Sequence, residues 1–459
     1  MGVAVQQPHG NTVYGESVLR VEPHGIDVLG PEERHGKPRQ QFTLWLGSNL
    51  TIADFALGFS VVSLGLPWFY GVLAIVLGNL LGAAVLAGCA AMGPTYGQPQ
   101  LMIGRYTFGR IGGLIPAVLN YISTIGWFTV NNILGSFGLR VLFPHLPFWA
   151  AAIMLVIVQG LLAIYGHNLI HTYERVMSVV LGILFLITTV LAFQHRGALV
   201  AYHPSGSNFW PMCILMTAFA FSYIGSWGAY ASDYSRYLPA DTSKAKVFWY
   251  TFAGSFIASV WLELVGVAVA ILAGSGSADP IAALHHVLGG FGDVAVVAII
   301  LGGTAADALN LYSNSLSAAA TGIRLPRWTF ALIATLVGLT LSLIGEGKFQ
   351  QNYSDFLLLV GYWMTPWMGV LFADFYLRKR RPTPSADTRN LRPFGTAAMV
   401  SFLVGIAASI PFMDATFNVE GFISKAMGGA DLAFYVGFLV SMGVYLVWHR
   451  VALGPQRQA

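Results

Sequence analysis

Apolar residues recur along this chain in runs of about twenty, each closed by a short cluster of Pro, Gly or charged residues. A helix needs roughly 20 consecutive apolar residues to cross the hydrocarbon core of a bilayer. The runs therefore predict twelve membrane-spanning helices, at 43–66, 70–92, 114–142, 148–166, 174–193, 210–232, 247–273, 290–321, 328–345, 354–377, 394–413 and 430–449. A transmembrane barrel alternates apolar and polar positions in shorter segments, and no such alternation runs through the chain. Polar stretches remain at 1–42, at 378–393 and at 450–459.

Two of the runs are interrupted alike. The first reads LWLGSNLTIADFALG (44–58) and the sixth reads FSYIGSWGAYASDYSRYLP (221–239). Non-helical backbone persists at membrane depth only where it is buried or lines a cavity. Interrupted helices five spans apart predict a five-plus-five inverted repeat with a binding site between its halves. The repeats would run over 43–193 and 210–377, with 394–449 holding two additional helices. A second reading stays open, in which the glycines only let helices pack closely.

Composition supports the membrane class. Of 459 residues, 56% are hydrophobic and 10% charged, with a mean hydropathy of +0.65, whereas soluble domains carry about 25% charged residues. Of the 24 Lys and Arg, all but Arg140, Arg196, Lys348 and Lys425 fall on one side of the twelve-span arrangement. Cytoplasmic loops collect such residues, so both termini are expected inside, in the cytoplasmic (inner) membrane. The same bias accounts for the net charge of +4 without a nucleic-acid partner, and RKRRP (378–382) reads as a membrane-surface anchor. The first 40 residues lack an apolar h-region, so no cleavable signal peptide is expected. Cys89 and Cys213 both lie in apolar runs and imply no disulfide framework.

Candidate chemistry is concentrated inside the spans. Thr124, Trp127 and Asn131 stand at i, i+3 and i+7, on one helical face. Such a face suits a planar heteroaromatic ligand, stacked on the indole and read at its edge by hydroxyl and amide. The alternative is that Thr124 bonds back to its own helix and Asn131 joins two helices. Asn132, on another face, reads as helix–helix glue. In the eighth span, Thr304, Asp307, Asn310 and Asn314 follow a 3–4 spacing, with Ser313 and Ser317 alongside. An intramembrane carboxylate is a functional candidate by default, which brings in Asp307, and likewise Asp54 and Glu263 as proton-exchanging candidates. Each also admits a structural, hydrogen-bonded role. The pair of histidines in LHHVLGG (284–290) lacks the His-Glu-x-x-His pattern of a zinc enzyme, and GEGKFQQ (345–351) lacks the spacing of a phosphate loop. No nucleophile–base set or dinucleotide fingerprint stands out. Neither an enzyme nor a cofactor is expected, and no obligatory protein partner is evident.

The segments EERHGKPRQQFTLWLGSNLT (32–51), GWFTVNNILG (126–135), YASDYSRYLP (230–239), NLYSNSL (310–316) and GVLFADFYLRKRR (369–381) occur in this order, separated by spans. With them the chain resembles the purine–cytosine permeases of the nucleobase–cation symporter-1 family over nearly its whole length. The resemblance implies an all-α polytopic fold of about twelve helices, a leucine-transporter-type five-plus-five inverted repeat plus two extra helices. It implies a cation-coupled secondary active transporter that imports a nucleobase, such as cytosine or a purine, by alternating access. The same fold can carry a hydantoin, allantoin, pyrimidine precursor or vitamin; an amino acid is a more distant alternative. By position, Trp127 matches the stacking residue, and Thr124, Asn131, Asn49 and Asn310 match positions that line the site. Trp227, next to Ser226, is taken as the sixth-helix aromatic, although some relatives place it one turn earlier, near Tyr223 or Ile224. A sodium site would use the carbonyls of Gly47 and Leu50 with the Thr304 hydroxyl. The next position, Ala305, supplies no side-chain oxygen, which leaves sodium and proton both open as the coupling cation.

Overall fold

The computed structural model describes residues 25–163, 167–206, 208–274, 279–323, 327–379, 383–385, 390–414 and 419–453. Of the basic positions behind the expected orientation, Arg20, Arg324, Arg380, Arg381, Arg389 and Arg457 lie outside these residues. The described chain is helical and contains no sheet. In order come α1 (Gln40–Asn49), α2 (Ile52–Ser63), α3 (Trp68–Ala90), α4 (Gly93–Tyr96), α5 (Gln100–Phe108) and α6 (Leu114–Leu142). Then follow α7 (Phe148–Ala163), α8 (His167–Phe193), α9 (Arg196–Val200), α10 (Trp210–Ser226), α11 (Ala231–Ser235) and α12 (Lys244–Ala273). The last are α13 (Pro280–Leu288), α14 (Gly292–Ala320), α15 (Arg327–Gly345), α16 (Phe349–Phe372), α17 (Thr396–Ser409), α18 (Phe422–Ala426) and α19 (Ala433–Leu453).

Each expected span coincides with one long helix or one broken pair. By length and composition, six helical stretches among the described residues can cross a membrane, or seven when α1 and α2 are taken as one. α16 and α8 begin earlier than the apolar runs do, because polar residues at a membrane surface end a hydrophobic run without ending a helix. The short helices α4, α5 and α13 are not visible as spans. α13 starts where Asp279 accepts hydrogen bonds from the Ile281 and Ala282 amides at 2.8 and 3.2 Å, with Pro280 at its first position; that is an N-cap arrangement.

Both interrupted segments are broken helices. α1 and α2 meet at a 54° bend. Leu50 leaves the helical region there, and the Thr51 side chain caps α2 by accepting from the Asp54 amide. In the second segment, α10 tightens into a 3-10 stretch at Trp227–Tyr230 before α11 resumes.

Polarity is distributed inside out relative to a soluble protein. Ile122, Ile157, Ile183, Leu186 and Leu336 are exposed, whereas Asp54, Glu263, Asp307 and Asn131 are buried. Apolar side chains on the outer surface match a lipid solvent, and the acids face the interior where they can find partners. Helix crossings are close. A Cβ at Gly58 would meet the Glu263 carbonyl, and one at Gly266 would meet the Phe55 carbonyl, so α2 and α12 touch backbone to backbone. α17 and α19 pack on α16, where Pro366 fills the space left by Gly405 and Gly437.

The polar residues at the helix ends have structural work. Asp374, in the π-turn that closes α16, accepts from Thr107 Oγ1 (2.8 Å), Arg378 Nη1 (2.7 Å) and Tyr445 Oη (2.8 Å). Asp233 Oδ1 accepts the Gln100 amide at 3.0 Å. Arg236 donates to the Gly25 carbonyl at 2.6 Å and to Tyr312 Oη at 3.2 Å. The segment before α1 is tied to the same end by Leu29 N to Gly97 O (3.0 Å) and His35 N to Tyr237 O (2.6 Å).

Candidate substrate site

The face of α6 predicted to carry chemistry turns inward, with Thr124, Trp127 and Asn131 all buried. Opposite it runs α14. Asn131 Nδ2 donates to Asp307 Oδ1 at 3.0 Å, and Asn310 Nδ2 reaches the same oxygen at 3.5 Å. Tyr230 Oη donates to Asn310 Oδ1 at 3.2 Å. One turn away, Asn314 Nδ2 donates to Thr124 Oγ1 at 2.7 Å, while Thr124 itself donates back to Tyr121 O at 2.9 Å. Helix bonding thus accounts for Thr124 and for the amide nitrogen of Asn131. It leaves other atoms over. Trp127 Nε1, Asn131 Oδ1, Asp307 Oδ2, Asn314 Oδ1 and Asn49 Oδ1 are buried with no hydrogen-bond partner among the described residues. Buried polar atoms are nearly always paired, and the unpaired Asn131 Oδ1 and Asp307 Oδ2 lie where α6 and α14 face each other, on the Trp127 side of α6. Asn132 points elsewhere and donates to Ala152 O on α7 at 3.1 Å, a helix-to-helix bond.

The aromatic surroundings differ from the sequence expectation. Trp127 meets Phe356 at a centroid distance of 5.0 Å, Tyr223 at 5.3 Å and Tyr353 at 6.3 Å, all edge-on. Tyr223 Oη in turn meets Thr51 Oγ1 at 2.9 Å, just past the α1–α2 break. Trp227 packs instead against Trp45 (5.6 Å) and Tyr230 (5.3 Å). Ser226 donates to Tyr223 O at 2.7 Å, and Asn49 Nδ2 to Trp45 O at 2.8 Å. The aromatic brought to Trp127 from α10 is therefore Tyr223, one turn before Trp227. Tyr353 and Phe356, near the start of α16, sit among Gln350, Gln351, Asn352, Ser354 and Asp355, polar residues that read in sequence as the end of a span rather than as part of a site.

A Cβ at Gly302 would sit 3.0 Å from the Leu50 carbonyl, so that oxygen faces α14 at the break. Thr304 Oγ1 donates to Ile300 O at 2.8 Å, and Gly47 O accepts the Leu50 amide at 3.1 Å. Asp54 and Glu263 come together across α2 and α12, with Asn79 Nδ2 donating to Glu263 Oε1 at 2.9 Å. No group of three or more His, Cys, Asp or Glu able to hold a metal occurs among the described residues.

A family described as permease for cytosine/purines, uracil, thiamine, allantoin matches residues 28–437. YxlA of Bacillus subtilis, provisionally named a purine-cytosine permease, is 30% identical over 441 residues, 94% of this chain and 96% of that protein. The purine-cytosine permease fcyB of Emericella nidulans is 28% identical over 468 residues, 95% of this chain and 91% of that one. Among solved structures, the nucleobase-cation-symport-1 family transporter Mhp1, closed with bromovinylhydantoin bound, superposes with a TM-score of 0.76 at 19% identity, over 95% of this chain and 97% of that chain. The fold is thus the leucine-transporter-type helical bundle, five-plus-five with two further helices, of a multi-pass membrane protein. With its match extending over residues 28–437, the chain belongs to the cytosine/purine permease family of nucleobase–cation symport-1 transporters.

Proposed function

We propose that this protein is a cation-coupled symporter that imports a nucleobase, cytosine or a purine, across the cytoplasmic membrane, with both termini inside. It catalyses no chemical conversion; alternating access follows from rocking of two inverted repeats, 43–193 and 210–377, about the buried site. The observation that carries the reading is the pair of unpaired buried acceptors, Asn131 Oδ1 and Asp307 Oδ2, joined on the inward face that also carries Trp127. Trp127 stacks on the base. Asn131 Oδ1 and Asp307 Oδ2 accept from its N–H groups, and Trp127 Nε1 donates to nearby acceptors. Thr124, Asn310 and Asn49 hold the walls, and Tyr223 closes the ring face from α10 with Ser226 and Trp227 behind it.

Uptake of labelled nucleobases into proteoliposomes, with unlabelled hydantoin, allantoin, uracil and pyridoxine as competitors, tests both the function and the cargo. Base–aromatic stacking is worth about 1–3 kcal/mol, so Trp127→Ala removes saturable uptake at micromolar substrate while the protein still reaches the membrane. Undiminished uptake by that variant refutes the stacking role. Stronger competition by allantoin or pyridoxine than by any nucleobase would move the cargo to a related heterocycle.

A further inference from the structure

Asp54 and Glu263 are separated by most of the first half of the chain, and the fold makes them neighbours. α2 and α12 cross where Gly58 and Gly266 each face the other helix's backbone. Asp54 lies one helical turn before Gly58, and Glu263 nearly one turn before Gly266. At that point the two carboxyls meet, with Ser259 Oγ beside Asp54. Asn79, on α3, donates its Nδ2 to Glu263 Oε1 at 2.9 Å and to Ile75 O at 3.0 Å. All four side chains are 0% exposed. Both oxygens of Asp54, Oε2 of Glu263, Oδ1 of Asn79 and Oγ of Ser259 complete no well-formed hydrogen bond among the described residues.

The groups around the pair are uniformly neutral or acidic. Tyr223 on α10 and Tyr353 on α16 are the titratable side chains that face it. Asp307, on α14, is engaged by Asn131 and Asn310 instead. Among the described residues, no Lys, Arg or His acts on either carboxyl. Two carboxylates in contact, out of water and without a cation, cannot both be ionised. At least one proton therefore resides here. Because Glu263 Oε1 accepts from Asn79, the proton sits on Glu263 Oε2 or on Asp54, the atoms left unpaired.

The pair is also mechanically joined to the substrate site. Thr51, which caps α2 one turn before Asp54, holds Tyr223 Oη at 2.9 Å. Tyr353 Oη donates to Ala53 O at 3.1 Å. Both tyrosine rings abut Trp127.

We propose that Asp54 and Glu263 form the proton site of the transport cycle, loading one proton on the side where substrate enters and releasing it on the other. This rests on the symport function proposed above and assigns its coupling ion. Loading forms one O–H bond on a carboxylate oxygen and takes the pair from a monoanion, with one shared proton, to neutral. Release breaks that bond and returns the proton to water.

The test uses wild type, Asp54→Asn and Glu263→Gln in proteoliposomes with labelled cytosine, adenine and hypoxanthine. Counterflow exchange without any ion gradient needs no net proton movement and reports substrate recognition alone. A gradient of about two pH units supports roughly 100-fold accumulation at one proton per substrate. Wild type is expected to exchange, to accumulate under the pH gradient alone, and to alkalinise the external medium as substrate enters. Each variant is expected to exchange but to stop at equilibration. Accumulation by both variants equal to wild type overturns the proposal, as does wild-type accumulation driven by sodium alone without substrate-linked proton flux. Failure of wild type to exchange any of the three bases overturns instead the function on which the proposal rests. Should both variants fail to fold, Asp54→Glu and Glu263→Asp, which keep a titratable carboxyl, take their place: a shifted pH dependence of gradient-driven accumulation is expected, and a profile equal to wild type overturns the proposal.

Discussion

Asp307 gives the sharpest test of how the substrate site is built, because two of its substitutions separate ligand binding from scaffolding. Its Oδ1 receives the amides of Asn131 at 3.0 Å and Asn310 at 3.5 Å, and its Oδ2 is buried and unpaired. Asp307→Asn keeps an oxygen for both amides, so the contact between α6 and α14 survives. What changes is the other atom, which turns from acceptor to donor. A base N–H that bonded there now faces an N–H. A buried donor left without an acceptor costs about 1–3 kcal/mol, so affinity should fall roughly 5- to 150-fold. Asp307→Ala removes the acceptor as well. Two buried amide donors are then stranded, each costing about 1–3 kcal/mol, and the bundle itself should melt earlier. Equilibrium binding of labelled base to purified protein, paired with a thermal melt in detergent, reads both quantities. The expected pattern is weak binding with a near-native melt for Asn, and a depressed melt for Ala. Unchanged affinity in Asp307→Asn would show that Oδ2 never meets the ligand, and the arrangement of donors inferred around Trp127 would have to be abandoned.

Two further substitutions probe the scaffold. Gly58→Val places a Cβ 2.7 Å from Val267 N and 2.9 Å from the Gly266 carbonyl carbon; α2 and α12 must part by about 0.7 Å or more, at a cost of roughly 1–3 kcal/mol. A lowered melting temperature is expected, with gradient-driven accumulation lost before exchange, and a melt equal to wild type would contradict the close crossing. Asn132→Ala breaks only the bond to Ala152 O, worth about 0.6 kcal/mol for an interhelical contact in a membrane. The melt should shift slightly while substrate affinity stays at the wild-type value; a large affinity loss would bring Asn132 into the site.

What the sequence made legible follows from local periodicity. The i, i+3, i+7 spacing of Thr124, Trp127 and Asn131 suffices to put them on one face, and a helix of regular pitch keeps them there. The Gly-Ser pairs at 47–48 and 225–226 mark both breaks, because a helix in lipid unwinds where side chains are small and polar. Counting fails once regularity does. At Trp227 the helix narrows to 3-10 geometry, so a residue one turn from Tyr223 swings toward Trp45 rather than Trp127. The meeting of Asp54 with Glu263 depends on where two distant helices cross, and each looks in sequence like a solitary acid. Tyr353 reaches Trp127 because α16 starts before its apolar run, whereas Phe356 lies inside that run and carries no polar atom to mark it.

The buried acid and amides of α14 also bear on how the chain is made. Asp307 alone raises the free energy of entering a bilayer by about 2.5–3.5 kcal/mol at mid-helix, and Asn310 and Asn314 add to it. α6, which holds the matching Asn131 and Thr124, is not among the stretches apolar enough to insert on composition alone. It is synthesised well before α14, however, and can wait folded against α2 and α7. Insertion of α14 is then an act of assembly, in which Asp307 finds Asn131 as it leaves the translocation machinery. The residues that recognise cargo in the finished transporter are, during biogenesis, the ones that oblige its two halves to find each other.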